Sequence, residues 1–268
     1  MTVYFDISHD EYSALPGWNW STIKGLDERS PRYVEWRRRN PDSADTAERR
    51  VARGIHAAVL EPVAFARDWH TTDLSRRTKA YKEWVADLPP GAEVLTTAEA
   101  DRVTAAAAAI LNHPAAGALL SDGSGEVSLT WQEDGLDLRG RVDWLRKRSV
   151  IDLKILGTTH ERRVGALVAR NLWHGQLAHY VAGCQANGLE VEDAYLIVAD
   201  GRDAHDVAVY HVDPSPPDGA LYVGQELRAG LLDRLRRCVA EDHWPGRHET
   251  VQDLCLPGYA LIDDDVEV

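Results

Sequence analysis

Two aspartates and one lysine lie close together in the middle of the chain, where the hydrophobic pattern is that of short strands. Asp143 ends one such segment, and Asp152 and Lys154 lie two residues apart on the next. Because alternate residues of a strand point to the same face, we expect Asp152 and Lys154 to project together. A hairpin between the segments brings Asp143 beside them. The sequence therefore predicts two carboxylates and one ammonium group on one face of a sheet.

A divalent cation would neutralise this pair of acids. Two carboxylates buried side by side are costly unless a positive charge lies between them. Mg²⁺ prefers oxygen ligands and retains several waters, so Asp143, Asp152 and the backbone carbonyl of Leu153 are a sufficient ligand set. We expect Mn²⁺ to substitute, with one or two ions per site. Such an ion stabilises charge on a phosphate oxygen, while Lys154 orients or deprotonates the attacking water or stabilises the developing negative charge.

A second pair of polar residues lies on the helix that is predicted to follow these strands. Gln176 and Tyr180 are four residues apart and therefore share one helix face. From there they can form hydrogen bonds with the lysine, with the attacking water or with a phosphate. We therefore count both among the candidate catalytic residues.

The surrounding pattern predicts the elements that position these side chains. A helix begins near residues 19–21 with Ser21 as a plausible N-cap, and a capping box formed by Thr96 and Glu99 opens another that reaches about residue 111. Period-two alternation predicts a three-strand meander. The predicted helices cover 46–67 with a break near Pro62, 96–111, 161–186 and 219–241, and the strands cover 126–131, 136–143, 149–155, 194–199 and 207–212.

These elements predict an α/β fold in a single domain. Residues 1–120 form a mainly helical N-terminal part, residues 121–245 form the α/β core with the candidate site, and residues 246–268 form a C-terminal tail that ends in acidic residues. The composition is that of an ordinary globular protein, with 44% hydrophobic and 27% charged residues. The chain lacks a membrane-length apolar run and a signal-peptide pattern, so we expect a cytoplasmic protein of a bacterial cell.

The order and spacing of these motifs resemble the RecB-like branch of the PD-(D/E)xK nuclease superfamily, a mixed central sheet with a β-meander flanked by helices. The resemblance rests on Asp143, on Asp152-Leu-Lys154 and on Gln176-x-x-x-Tyr180, although Val142 stands where the motif name has proline. It implies that His56 is a metal ligand and that Glu126 is an additional acid of the site.

Within that branch, the chain is similar to RecE-type exonuclease domains over roughly residues 4–200. The similarity rests on segments 7–12, 20–26 and 55–62 and on the arginine pair Arg139 and Arg141, although Ala52 stands where the family usually has glycine. It implies a 5′-to-3′ exonuclease that degrades linear double-stranded DNA. It also implies 3′ single-stranded tails for an annealing protein or recombinase of phage or prophage recombination, and assembly as a homo-oligomeric ring.

The charge distribution bears on DNA as a partner. The net charge is −13, but residues 1–82 contain 14 Lys and Arg against 12 Asp and Glu. The basic residues cluster at 37–39, 49–53 and 76–82, and a channel lined by such clusters can hold a phosphate backbone. Arg139 and Arg141 alternate on one strand face, so both can bind the scissile or terminal phosphate. The predicted DNA-binding residues are Arg139, Arg141, Arg53, Arg76, Arg77 and Lys79.

Three alternatives remain open. The chain could be another RecB-like nuclease, either endonucleolytic or of the iron–sulfur type, although the iron–sulfur type needs four cysteine ligands and the chain has three cysteines with no CxxC pair. It could be a DNA-binding recombination accessory protein with a decayed site. A histidine-based metal enzyme is disfavoured because His174 and His179 are five residues apart and do not form an i, i+4 pair.

Overall fold

A computed structural model describes residues 1–40 and 46–255 of the protein. The main sheet has six strands and a second sheet has two. The strands are β1 (Thr2–Tyr4), β2 (Trp69–Thr72), β3 (Glu93–Thr96), β4 (Ser124–Glu133), β5 (Leu136–Leu145), β6 (Ser149–Leu156), β7 (Asp193–Asp200) and β8 (Val207–His211).

The helices fall mainly before β4 and after β6. They are α1 (His9–Ala14), α2 (Trp20–Ile23), α3 (Gly25–Glu28), α4 (Pro31–Arg39), α5 (Ala47–Leu60), α6 (Pro62–Asp68), α7 (Lys79–Ala86), α8 (Thr97–Asn112), α9 (Pro114–Leu120), α10 (Glu161–Arg170), α11 (Trp173–Ala186) and α12 (Ala220–Glu241).

The main sheet is a meander extended by a crossover. Its strand order is β1-β4-β5-β6-β7-β8, and all neighbours are antiparallel except β6 and β7, which run parallel. The parallel pair requires a long connection, which α10 and α11 provide. This mixed sheet with flanking helices confirms the predicted fold class, including the three-strand meander. The single-domain organisation stays a prediction.

Each face of the main sheet is covered by helices. One hydrophobic core joins β4 and β5 to α11 and α12, and the other joins β6 and β7 to α5, α8 and α9. On β6, Ile151 and Leu153 are each 1% exposed and belong to the second core. Burying each of these side chains contributes about 1.5–3 kcal/mol and fixes the register of the strand. The residues between and after them, Asp152 and Lys154, therefore point to the other face.

Two predictions about helix boundaries are wrong. The helix expected over residues 161–186 is broken, because Leu172 adopts a left-handed φ of 56° between α10 and α11. The N-cap of α2 is Asn19 and not Ser21, since the Asn19 side chain accepts a hydrogen bond from the backbone N–H of Thr22. The capping box of Thr96 and Glu99 and the break at Pro62 are both confirmed.

Several short elements lack a clear sequence signal. The pattern did not predict β1, which pairs with β4, or the parallel pair β2–β3. The acidic end of the predicted tail, from residue 263 onward, lies outside the described residues. Among the residues that the structure describes, no single helix is long and apolar enough to cross a membrane, while the pair α8–α9, bent by 88°, meets the criteria of length and composition only.

Candidate active site

The candidate site lies where β5 and β6 separate. Their ladder contains only two pairs, Trp144 with Ile151 and Leu145 with Val150. At the next position the strands have moved apart, and the backbone N–H of Leu153 donates a hydrogen bond of 2.8 Å to Oδ2 of Asp143. The aspartate side chain thus takes the place of a ladder bond, which fixes its carboxylate at the opening between the strands.

Glu126 faces Asp143 across the neighbouring strand. The β4–β5 ladder pairs Gly125 with Trp144 and Val127 with Val142, so Glu126 and Asp143 occupy opposing positions. Glu126 has a left-handed φ of 51°, a local distortion of the strand. Like charges in opposing positions are destabilising unless a cation or a proton neutralises one of them.

A histidine from a different element completes this cluster. His56 lies on α5, and its Nδ1 is 3.9 Å from Oδ2 of Asp143. One candidate ligand atom from each of His56, Glu126 and Asp143 lies within 4.8 Å of the others. Imidazole and carboxylate groups at this spacing are a donor set suited to a divalent cation. The residues therefore fit a metal ion.

A chain of polar contacts runs from β6 to α11. Lys154 Nζ lies 2.6 Å from Oδ2 of Asp152 and 3.3 Å from Oε1 of Gln176. Gln176 Nε2 in turn donates a 2.7 Å hydrogen bond to the hydroxyl of Tyr180. The break at Leu172 sets the start of α11 so that Trp173 also contacts the lysine, with the ring centroid 5.2 Å from Nζ.

Asp152 differs from the other two acids. Its side chain is fully buried, and its only ion pair among the described residues is with Lys154. Oδ1 has no hydrogen-bond donor among the described residues. An unsatisfied buried carboxylate oxygen is costly, so Asp152 is a second place at which the site accepts a cation or a proton.

The pKa values of these groups reflect the concentration of buried negative charge. Burial, together with the charge of Asp143, raises the pKa of Glu126 to about 7. Burial raises the pKa of Asp152 to about 6, although Lys154 lowers it. Burial and the charge of Lys154 lower the pKa of His56 to about 4, so its ring is neutral and able to bind a metal. The acids are thus protonated more readily than usual unless a cation is bound.

The predicted metal ligands are only partly brought together. His56 and Asp143 are in the three-residue cluster, and Glu126 joins them there, whereas Asp152 is paired with Lys154 beside it. The backbone N–H of Leu153 donates a hydrogen bond to Asp143, which places this peptide unit at the edge of the cluster.

The cluster opens into a cavity of about 740 Å³. The candidate residues Glu126, Asp143, Gln176 and Tyr180 line it together with Trp173. Its basic side chains are Arg139 and Arg141 from β5, Arg37 and Arg38 from α4, and Lys24 from the junction between α2 and α3.

A comparison with protein families finds one that is described as a PDDEXK-like domain of unknown function (DUF3799), and it matches residues 21–255. The chain belongs to this family. This membership and the fold together establish the PD-(D/E)xK nuclease superfamily, while the RecE-type branch within it stays a prediction.

The fold of this PDDEXK-like domain is also similar to a solved structure of a protein from Eubacterium rectale that is named as a candidate exonuclease. The match has a TM-score of 0.62 and covers 95% of this chain and 97% of that chain. Sequence identity is 13%, so the likeness concerns the fold alone. A comparison with curated proteins finds no match.

The two arginines of β5 are held by the N-terminal segment of the chain, which precedes the residues that match the PDDEXK-like domain. Arg139 Nη1 donates hydrogen bonds to the backbone carbonyls of Tyr12 (2.9 Å), Ser13 (2.8 Å) and Leu15. Both guanidinium groups also lie over the Tyr12 ring, at 5.1 Å for Arg139 and 5.8 Å for Arg141. Arg139 therefore fastens this segment to the sheet beside the cavity.

Arg141 also contacts Glu126, one of the three residues of the candidate metal site. Its Nε donates a hydrogen bond to Glu126, and its Nη1 donates one of 3.0 Å to the carbonyl of Ile7. The side chain is 9% exposed. Both arginines lie on one face, as the alternation predicted, but much of their hydrogen-bonding capacity is used within the protein, and a role as phosphate clamps stays a prediction.

The other predicted DNA-binding residues lie elsewhere. Arg53 pairs with Glu93 at 3.1 Å, and Lys79 pairs with Glu83 at 3.2 Å. Arg76 donates to Glu99 at 2.8 Å and to the carbonyl of Val94 at 3.0 Å, a partly buried structural contact. Arg77 is exposed. None of these four basic residues is among the described residues that line the cavity.

The histidine and cysteine alternatives receive no support from the described residues. His174 and His179 are buried and contact the backbone carbonyls of Val168 and Arg139. His179 Nδ1 also accepts a hydrogen bond of 3.3 Å from Arg228 Nε. Cys184 and Cys238 are buried and Cys255 is exposed, and all three are free thiols.

Sequence reasoning missed part of the cavity wall. The arginine cluster at 37–39 was visible, yet Arg37 and Arg38 were not assigned to the site, because nothing in the sequence brings α4 beside β5. Trp173 had no signal of its own, since its contact with Lys154 depends on the unpredicted helix break.

Proposed function

We propose that this protein is a divalent-metal-dependent deoxyribonuclease that removes nucleotides from the ends of linear double-stranded DNA. The observation that carries the proposal is the cluster of His56, Glu126 and Asp143 beside the buried pair of Asp152 and Lys154. Mg²⁺ is the proposed ion, with Mn²⁺ as a substitute. It would be held by His56, Glu126 and Asp143, with Asp152 facing a second position.

The chemistry divides between the ion and the side chains. A divalent ion in this position supplies positive charge to a phosphate oxygen and to the attacking water. Lys154 holds its ammonium group between the Asp152 carboxylate and the Gln176 amide, and it stabilises negative charge that develops at the phosphorus-bound oxygens. The buried Asp152 carboxylate is the charged partner that holds the Lys154 ammonium group in this position.

Gln176 and Tyr180 act on the orientation of this lysine. The amide oxygen of Gln176 accepts from Lys154, and its amide nitrogen donates to the Tyr180 hydroxyl. Burial raises the pKa of Tyr180 well above its usual value, so the hydroxyl stays protonated and serves as a hydrogen-bonding group and not as a base.

End dependence and polarity extend the proposal further. We propose 5′-to-3′ digestion that leaves 3′ single-stranded tails for an annealing protein or recombinase, by a homo-oligomeric ring. The resemblance of the motifs to RecE-type domains supports these features, and the name of the fold neighbour, a candidate exonuclease, is compatible with exonuclease activity alone. A ring is compatible with the net charge of −13, because only the surface that faces DNA must be basic.

Digestion of three duplex substrates tests the proposal. Linear, nicked and covalently closed circular DNA, labelled at the 5′ or the 3′ end where ends exist, are incubated with Mg²⁺ and in parallel with EDTA. We expect release of the 5′ label from linear DNA only with Mg²⁺, and no cleavage of closed circles. Cleavage of closed circles would show that the protein is an endonuclease and not an exonuclease. If no nucleotide is released from any substrate with Mg²⁺ or Mn²⁺, the proposed nuclease activity is excluded.

A further inference from the structure

Helix α4 presents a basic surface with an exposed aromatic residue. The helix contains four arginines and one glutamate in nine residues, and Arg29 precedes it. Arg29 lies over the Tyr33 ring with its guanidinium carbon 5.4 Å from the centroid, and the Tyr33 ring lies 5.9 Å from that of Trp36. These contacts form a continuous column of one guanidinium group and two rings along the helix.

Trp36 is exposed without a structural reason. Its relative exposure is 53%, and it alone among the nine tryptophans, all of which lie in the described residues, is in the exposed class. The large apolar ring in water is unfavourable, and the fold uses its other tryptophans in the core or half-buried. The ring of Trp36 is therefore available to a ligand with a flat face.

The arginines of the last turn of α4 stabilise the helix itself, and this role does not account for the other basic residues of the surface. Arg37, Arg38 and Arg39 lie at the C-terminus of α4, where positive charge interacts favourably with the helix dipole. Glu35 also pairs with Arg38 at 3.0 Å and with Arg39. Neither effect explains Arg29 and Arg32, which lie outside the last turn, or Trp36, which carries no charge.

This surface is continuous with the active-site cavity. Arg37 and Arg38 line the cavity, and Arg38 lies over the Trp18 ring at 5.6 Å. Trp18, which also lines the cavity, packs against Trp244 with ring centroids 5.8 Å apart. Helix α4 thus contributes Arg37 and Arg38 to the wall of the cavity, and the same helix presents Trp36 to solvent.

We propose that the α4 surface, formed by Arg29, Arg32, Tyr33, Trp36 and Arg39, binds single-stranded DNA next to the cavity. The inference rests on the proposed function and adds a binding surface for one strand of its substrate or product. A positively charged groove with exposed aromatic rings is the arrangement that binds single strands, because unpaired bases can stack on the rings while the phosphates meet the arginines.

Two features favour a single strand over a duplex or an acidic protein. Paired bases in a duplex are stacked on one another and cannot offer a face to Trp36. An acidic protein would also satisfy the arginines, but the α4 surface shares its helix with Arg37 and Arg38 of the cavity wall, where the DNA of the proposed function binds. The net charge of the chain is −13, so the overall field does not attract polyanions, and binding depends on local basic surfaces such as this one.

Binding of fluorescent oligothymidylate to the full chain in EDTA tests the proposal without any cleavage. Three variants are compared with the wild-type protein: Trp36→Ala, Trp36→Phe and the double variant Arg29→Ala with Arg32→Ala. A matched control replaces Lys147 and Arg148, two exposed basic residues outside the cavity lining, with alanine. Thermal unfolding of each variant verifies that it is folded.

The expected results separate stacking from charge. Trp36→Ala weakens oligothymidylate binding at least about fivefold, and Trp36→Phe restores part of the affinity. The double arginine variant lowers the slope of log affinity against log salt by about 1.4, because each phosphate contact contributes about 0.7 for single strands. The matched control changes neither quantity, and the affinity for a duplex of equal length depends less on Trp36 than the affinity for oligothymidylate does.

The outcomes also separate this inference from the proposed function. If Trp36→Ala and the arginine variant bind oligothymidylate as tightly as the wild type does, the α4 surface does not bind single-stranded DNA and the inference is overturned. An equal loss of duplex binding in Trp36→Ala overturns the assignment to single strands. If the wild type binds oligothymidylate through this surface but releases no nucleotide with Mg²⁺ or Mn²⁺, the proposed function fails while the binding surface stands.

Discussion

The carboxylates of Glu126 and Asp143 occupy opposing positions on neighbouring strands, with His56 close to both. Two acids in this relationship repel each other, and burial increases the cost of charging both. The fold holds them together through the Leu153 N–H bond to Asp143 and the Arg141 bond to Glu126. The protein thus maintains an electrostatically unfavourable cluster that a divalent cation would relieve.

Replacing one of these acids separates stability from metal binding. We expect Glu126→Gln to stabilise the metal-free protein by about 1 kcal/mol, because it removes the repulsion across the strands. The same change weakens Mn²⁺ binding, because it removes a charged ligand. Thermal unfolding with EDTA and with Mn²⁺ measures both effects. Glu192→Gln, which removes an exposed acid on another surface, is the control. An unchanged Mn²⁺-induced shift in Tm in Glu126→Gln would remove Glu126 from the ligand set.

The pH dependence of metal binding follows from the raised pKa values of these acids. The pKa of Glu126 is about 7 and that of Asp152 is about 6 in the folded protein, above their ordinary values. Protons therefore stabilise the metal-free fold at low pH, and this stability is lost as the pH rises through about 4 to 7.

Cations compete with these protons, so the Mn²⁺-induced increase in Tm grows between about pH 6 and pH 8. Thermal unfolding at fixed Mn²⁺ concentration across this range measures the effect. An increase that is independent of pH would mean that the metal does not displace protons from these carboxylates.

Arg139 is expected to contribute mainly to stability. Its Nη1 donates to three backbone carbonyls of the N-terminal segment, and its flat guanidinium group lies over the Tyr12 ring, which the compact ammonium group of lysine does not reproduce. We expect Arg139→Lys to lower the free energy of unfolding by about 1.5–3 kcal/mol, as measured by urea denaturation in EDTA. Arg148→Lys on the surface serves as the control. Unchanged stability together with weakened DNA binding would favour the phosphate-clamp role instead.

His179 gives the fold a distinct sensitivity to acid. Arg228 Nε donates to its Nδ1, so its Nε2 carries the proton that is donated to the carbonyl of Arg139. Burial and the charge of Arg228 lower the pKa of His179 to about 3. The folded state therefore resists protonation that the unfolded chain accepts near pH 6.5.

The stability that neutral His179 contributes is present above about pH 6.5 and is lost as the pH falls toward 3, by up to about 1.4 kcal/mol per pH unit. As the pH falls through this window, the free energy of unfolding of the wild-type protein should decrease more steeply than that of His179→Gln. Parallel curves for the two proteins between pH 6.5 and pH 4 would contradict the buried neutral histidine.

The sequence was sufficient where local periodicity determines geometry. The two-residue spacing of Asp152 and Lys154 and the four-residue spacing of Gln176 and Tyr180 each fix a shared face, and the structure brings these pairs together. It was insufficient where the geometry depends on distant contacts. That Glu126 opposes Asp143 follows from the strand register, which the alternation alone does not specify.

The helix break illustrates a second limit. Leucine rarely adopts a left-handed conformation, so nothing in the pattern of residues 161–186 marked Leu172 as an interruption. The structure holds it there through the Trp20 side chain, whose Nε1 donates a hydrogen bond of 3.1 Å to the Leu172 carbonyl from 152 residues away. A long-range contact of this kind is not accessible to local pattern reasoning.

The rate of nucleotide release from linear duplex DNA, compared between the wild type and Asp152→Asn at saturating Mg²⁺, tests the central claim most directly. The substitution preserves the size of the side chain but removes the charge that faces Lys154 and the metal position. We predict metal-dependent release by the wild type, a decrease of at least about 100-fold in Asp152→Asn and nearly unchanged DNA binding. Release at a near wild-type rate by Asp152→Asn, or by the wild type in EDTA, would contradict the assignment of this site.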